Sequence, residues 1–241
     1  MKCINLYKIA AMCLLLWLFV FQASACNYKV NQNKQERKVP AFSELNLSVS
    51  ANVVLIQGTE QKVEIVASDR LLNLIETEVN NGALTIKWSE RFVSHTEKIT
   101  IYLTMVDIKG LHIGGSGDIY AKDKISASDI KLSISGSGKI SLDNLAATDI
   151  VSSISGSADI SIGGNSQANS LEARISGSGN INAADMPVKN VEISISGSGD
   201  CRVNAIESLK AKVSGSGNVF YTGSASIDAS VSGSGKIKKA N

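Results

Sequence analysis

The residue after each Gly-Ser-Gly tripeptide is where groups able to do chemistry recur at fixed spacing: Asp118, Lys139, Asp159, Asn180, Asp200, Asn218 and Lys236. Set in successive turns of a stacked chain, Asp159, Asn180 and Asp200 would offer oxygen ligands to a hard cation. Glycoside hydrolysis also needs two carboxylates at a defined separation. Against both readings, Lys139 and Lys236 fill equivalent slots, which a dedicated cation ladder would avoid. Asp and Asn after a glycine corner also bond nearby backbone and hold the turn. Asp118, Asp159, Asn180 and Asp200 therefore form a candidate weak cation or ligand ladder, with corner stabilisation the favoured role.

Other reactive types are isolated. His95 and His112 have no Cys, His or acidic neighbour at ligand spacing, so a structural or surface role is expected for both. The serines of the tripeptides recur too often for one to be a nucleophile, and no helix pattern follows any of them. No Gly-Lys-Ser/Thr completes a phosphate loop. No catalytic residue, metal or cofactor is expected. Trp88, Tyr102, Tyr120 and Tyr221 could stack on sugars if exposed, although packing is the default for such side chains.

The elements that must position these residues follow from the repeat. The tripeptide starts at Gly115, Gly136, Gly177, Gly197, Gly215 and Gly233, and as Gly-Ser-Ala at Gly156, with intervals of 21, 20, 21, 20, 18 and 18 residues. Four residues after each first Gly stand Ile119, Ile140, Ile160, Ile181, Cys201, Val219 and Ile237. Two before it stand Ile134, Ile154, Ile175, Ile195, Val213 and Val231, and six before it Ile130, Ile150, Leu171, Val191, Leu209 and Ile227. Polar residues alternate between them, which is the strand signal. One such coil cannot bury its apolar side, but stacked coils can. Equivalent residues then lie roughly 4.8 Å apart, in a rod roughly 30 Å long. The expected fold is mainly β, a right-handed parallel β-helix (β-solenoid) of about 20-residue coils. The corner glycines supply φ > 0 or close backbone approach. Ala158 replaces a third-position Gly, which places the strict steric constraint on the first Gly.

The repeated Ser-Ile-Ser-Gly-Ser-Gly-Asp/Asn/Lys-Ile string resembles the auto-transporter adhesin, head-GIN-domain family. Gly179-Asn180-Ile181-Asn182 is similar to the string that names it. The resemblance spans roughly residues 41–241. It implies a β-helix related in shape to pectin-lyase-like proteins, a cell-envelope location and an adhesion role. It brings no catalytic residues.

Residues 1–25 read as an export signal. Lys2 and Lys8 precede a 13-residue apolar run, Ile9 to Phe21, too short to span a membrane comfortably. Ala23-Ser24-Ala25-Cys26 fits a lipoprotein site with Cys26 as the lipid attachment residue, and also ordinary cleavage after Ala25. The first reading is favoured because it leaves only Cys201 unmodified, at an aliphatic ladder position suited to a small buried hydrophobe. The expected location is the cell envelope, as an outer-membrane or surface lipoprotein. Removing Lys2 and Lys8 leaves 22 basic against 22 acidic residues, which argues against a nucleic-acid partner.

Residues 26–40 are polar and basic and read as a flexible tether. Residues 41–110 are β-rich without the tripeptide, and the regular solenoid covers 111–241. Candidate strands are Leu45–Val49, Val53–Gln57, Val63–Ala67, Ala83–Lys87 and Lys98–Met105, with a turn at Asn80-Asn81-Gly82 and a short helix within Arg70–Val79. Ser48 to Val53 looks like a degenerate repeat, so this stretch is either irregular coils or a cap. The lysines after Gly233 guard an open strand edge. The leading expectation is a non-catalytic adhesion module binding glycan or an envelope or matrix protein. The alternatives are a pectin-lyase-like carbohydrate-active enzyme, with its site near residues 85–125, and a structural envelope protein.

Overall fold

The computed structural model describes residues 32–240 except 91, 92 and 95, so the export segment, Cys26 and His95 lie outside the described residues. In chain order the elements are β1 Asn33–Glu36, β2 Glu44–Leu47, β3 Asn52–Gln57, β4 Lys62–Ala67, α1 Asp69–Leu74, β5 Ile75–Asn80, β6 Ala83–Trp88, β7 Thr100–Met105 and β8 Gly110–Ile113. The regular part continues with β9 Asp118–Gly136, β10 Lys139–Gly156, β11 Asp159–Ile162, β12 Ala168–Gly177, β13 Asn180–Gly197, β14 Asp200–Gly215, β15 Asn218–Thr222, β16 Ser226–Gly233 and β17 Lys236–Lys239.

From β8 onward every pairing is parallel and joins a strand to its counterpart in the next coil, giving a β-solenoid of about six turns. One coil wraps several sides: β9 meets β10 in three runs, beginning at Asp118, Lys124 and Asp129. The alternation in sequence sorts side chains inward and outward, and the inward ones align. Ile119, Ile140, Ile160, Ile181, Cys201 and Val219 stack in register, each 1% exposed or less. The same column continues below through Val53, Ile101 and Ile65. Each fully buried aliphatic side chain in it contributes about 1.5–3 kcal/mol of hydrophobic stabilisation.

Stacking order departs from chain order at the N-terminal end. The coil made by β2 and β3 lies between the layer of β6 and β7 and the layer of β8 and β9. Asn52 aligns with Asp118, so Ala51 stands where Gly117 stands one layer up, and the degenerate repeat is a true coil. β4 and β5 run antiparallel to β7 and β6 and close the outer layer. Residues 41–110 thus contain both a coil and a cap. The β5–β6 hairpin turns through Asn81 (φ 51°) and Gly82 (φ 79°), the pair of positive φ values a two-residue hairpin of this hand requires.

Two expectations are corrected here. Asn33–Glu36 is not tether but an antiparallel edge strand on β4, fastened by Lys34 Nζ to Glu64 Oε1 at 2.8 Å. Arg37 continues the attachment, donating through Nη2 to Leu72 O at 2.6 Å. An edge strand needs a partner for its backbone, not an apolar side, so its polar sequence hid it. The helix is also shorter than its periodicity suggested: α1 stops at Leu74, because Ile75 onward pairs with β6.

Candidate functional site

The corners are built from close backbone contact. Gly177 has φ +124°, and a Cβ placed on it would lie 2.4 Å from Gly156 O in the coil beneath. That oxygen also accepts a hydrogen bond from Ser178 N at 2.9 Å, so the coils cannot part locally without losing it. Gly136, Gly156, Gly197, Gly215 and Gly233 repeat this arrangement. Gly115 does not: its φ is not in the left-handed region, and a Cβ there would meet open space. The contrast expected between first and third positions also fails. A Cβ on Gly179 would lie 2.4 Å from Ala158 O and 2.6 Å from Ile154 Cγ2, so the third Gly is as tightly placed as the first, without the positive φ.

The residues after the corners form one stacked row. Lys139 aligns with Asp118 and Asp159, Asp159 with Asn180, and Asp200 with Asn218. Asn180 Nδ2 donates to Asp159 Oδ1 at 2.9 Å, and Asp200 N donates to Asn180 Oδ1 at 3.2 Å. From Asp159 to Asn218 the row alternates donors with acceptors and ties successive corners together. Among the described residues no three His, Cys, Asp or Glu side chains converge as a metal site.

A second polar row went unnoticed in the sequence. Asp129, Asp149, Ser170, Asn190, Ser208 and Ser226 stack one residue before the Ile130 column. Ser170 Oγ and Asn169 Nδ2 donate to Asp149 Oδ1, and Ser208 Oγ donates to Asn190 Oδ1 at 2.7 Å. Its signal was present, since each member precedes an aligned aliphatic residue, but the glycine tripeptide is the more conspicuous marker.

Where this row meets the irregular coils lies a groove of about 660 Å³, lined by Asp107, Lys109, Asp129, Lys131 and Asp149 around Val151. Lys131 also borders a hollow of about 280 Å³ that reaches Glu44 and His112. Burial, and then the charge of Lys131, hold the His112 imidazole below its ordinary pKa. Of the 85–125 region the groove takes in only residues 107–109.

The regular coils, the glycine corners and this architecture agree with one known family. Residues 41–225 match the family described as "putative auto-transporter adhesin, head GIN domain". The chain belongs to that family. The crystal structure of a putative adhesin from Bacteroides fragilis is similar to it at 25% identity and a TM-score of 0.83, over 87% of this chain and 97% of that one. A putative lipid binding protein from Parabacteroides distasonis matches at 22% identity and a TM-score of 0.72, over 88% and 98% of the two chains. A putative adhesin from Parabacteroides merdae matches at 20% identity with the same TM-score, over 88% and 98%. The last two likenesses show the fold alone. No curated protein matched the chain. Family membership makes this chain an adhesin-like module.

On this head GIN domain the aromatic residues sort by exposure. Tyr102 is 44% exposed and stacks beside Val54, which stacks beside Tyr120. Lys34 Nζ lies 5.9 Å from the centre of the Tyr102 ring. Tyr120 donates its hydroxyl to Asp118 Oδ2 at 3.0 Å, and burial followed by that carboxylate raises its pKa. Trp88 and Tyr221 pack against the core. Cys201 is fully buried, with its thiol pushed up to about 12 chiefly by desolvation.

Proposed function

We propose that the protein is a non-catalytic cell-envelope binding module, anchored through lipid on Cys26, that engages a glycan or an envelope or matrix protein through its stacked polar faces. The observation that carries this reading is the register of one exposed row: Ser135, Ser155, Ser176, Ser196, Ser214 and Ser232. Beside it runs Ser133, Ser153, Arg174, Ser194, Lys212 and Ser230. Hydroxyl groups repeating every roughly 4.8 Å present donors and acceptors in a flat strip. A repetitive partner can engage many such weak contacts at once, and linkage raises the combined affinity well above any single one.

The test uses the soluble chain from Asn27 onward against polysaccharides and matrix proteins, with bound ligand and released product recorded together. Saturable binding without new reducing or unsaturated ends supports the module. New ends overturn it in favour of a carbohydrate-active enzyme. Labelled-palmitate incorporation that is lost in Cys26→Ser supports the anchor, and unchanged labelling removes it.

A further inference from the structure

The groove of about 660 Å³ lies where the repeat is interrupted. The β7–β8 connection leaves the layer of β6 and β7 and must pass over the edge of the β2–β3 coil to reach the layer beyond. It is pinned as it crosses. Lys109 N donates to Ser43 O at 2.8 Å, and Lys131 N donates to Lys109 O at 2.9 Å. The Gln57 carboxamide clamps both walls: Nε2 donates to Val106 O at 3.1 Å and to Ser126 O at 3.0 Å, while Ser126 N donates to Oε1 at 2.7 Å. Walls held this way keep their shape before a ligand arrives, which lowers the entropy lost on binding.

The charges on those walls are unspent. Asp107, Lys109, Asp129 and Lys131 make no ion pair or side-chain hydrogen bond among the described residues. Gly110 stands between Glu44 and Lys131 in the same row with the Glu44 side chain lying over it, and Lys131 borders both the groove and the neighbouring hollow that reaches His112. Val151, half-buried on the other side of Lys131, gives a small apolar floor. Two cationic groups, flanking carboxylates and an apolar patch match a ligand with sparse negative charge, many hydroxyls and an apolar C–H face. A dense polyanion would be repelled by Asp107, Asp129 and Asp149, and a neutral ligand would leave both lysines unanswered.

We propose that this groove binds an oligosaccharide in which uronate and neutral sugar residues alternate, its carboxylate held by Lys109 and Lys131 and its hydroxyls donating to Asp129 and Asp149. The proposal rests on the reading of the protein as a binding module and names the ligand class for one part of its surface.

The test measures binding of a hyaluronan hexasaccharide by calorimetry at low and physiological salt. The same hexasaccharide with its carboxyl groups reduced to alcohols, and an acidic peptide of equal charge, serve as comparisons. The intact sugar is expected to bind at least tenfold more tightly than either and to weaken as salt rises. The Lys109→Gln, Lys131→Gln double variant should lose tenfold or more in affinity with an unchanged melting midpoint, since both side chains are exposed. Equal binding of the intact and reduced sugars, equal binding of the peptide, no binding of the acidic sugar, or indifference to the double substitution would each overturn the assignment. If another glycan or a matrix protein still binds through the serine rows, the module reading survives that result; if nothing binds, both fall.

Discussion

Asn218 donates both its backbone N–H and its side-chain amide to the same oxygen, Oδ1 of Asp200, at 3.0 and 2.9 Å. The carboxylates of Asp159 and Asp200 therefore face donors from the next coil, where a cation site would need converging oxygens. Asp200→Ala is expected to cost about 0.5–1.5 kcal/mol for each hydrogen bond that water does not replace. The melting midpoint should fall by the same amount in Ca²⁺ and in chelator. A loss seen only with Ca²⁺ present would restore the cation ladder.

Gly115 and Gly177 hold the same place in the tripeptide but not the same backbone. Gly115→Ala should leave the melting midpoint nearly unchanged, because the added methyl meets nothing within 4 Å. Gly177→Ala must place a Cβ against Gly156 O and hold a positive φ, a conformation costing about 1–3 kcal/mol before the clash is counted. Equal midpoints for the two variants would sink the corner account.

How far the fold could be read depended on repetition. Each coil restates the Ile119 and Ile134 columns and the corner glycine, so one misread copy is corrected by six others. β1 offered no such redundancy: Asn33 to Glu36 is polar throughout, and only its pairing with β4 reveals it as a strand. The placement of β6 and β7 outside β2 and β3 was equally hidden, since chain order says nothing about which layer a returning strand joins. Of the candidate sites, the Asp118 row was legible because its members share a position in the repeat. In the groove Asp129 and Asp149 are register partners in adjacent coils, whereas Asp107 comes from the β7–β8 connection, whose course chain order did not reveal. The tripeptide's third position misled because Ala158 sits in the core at 1% exposure, while a Cβ on Gly179 would lie 2.4 Å from Ala158 O.

Cys201 continues the Ile181 column and is fully buried. With its thiol pushed up to about 12, the thiolate is scarce at neutral pH. Iodoacetamide should leave Cys201 unmodified in the folded protein and label it fully in denaturant. Cys201→Ser should destabilise by about 1–3 kcal/mol, since nothing in an aliphatic column accepts the hydroxyl. Rapid labelling of the native protein would contradict this packing.

His112 gives the pH dependence. Its imidazole is half-buried between Asn46 and Ser133 in register, in a hollow that Glu44 and Lys131 also border. Burial first, and Lys131 second, hold its pKa below the ordinary value, so the folded state resists taking up the proton. The stability contributed by the neutral ring is then complete above the unfolded imidazole's pKa of about 6.5 and declines as pH falls through it. Melting midpoints followed from pH 7.5 downward should fall in that window for the native sequence, and less for His112→Gln. Lys131→Gln should move the imidazole titration upward, as followed by NMR of the ring protons, because it removes a like charge while leaving the burial in place. A titration that stays put in Lys131→Gln would mean that burial alone sets it.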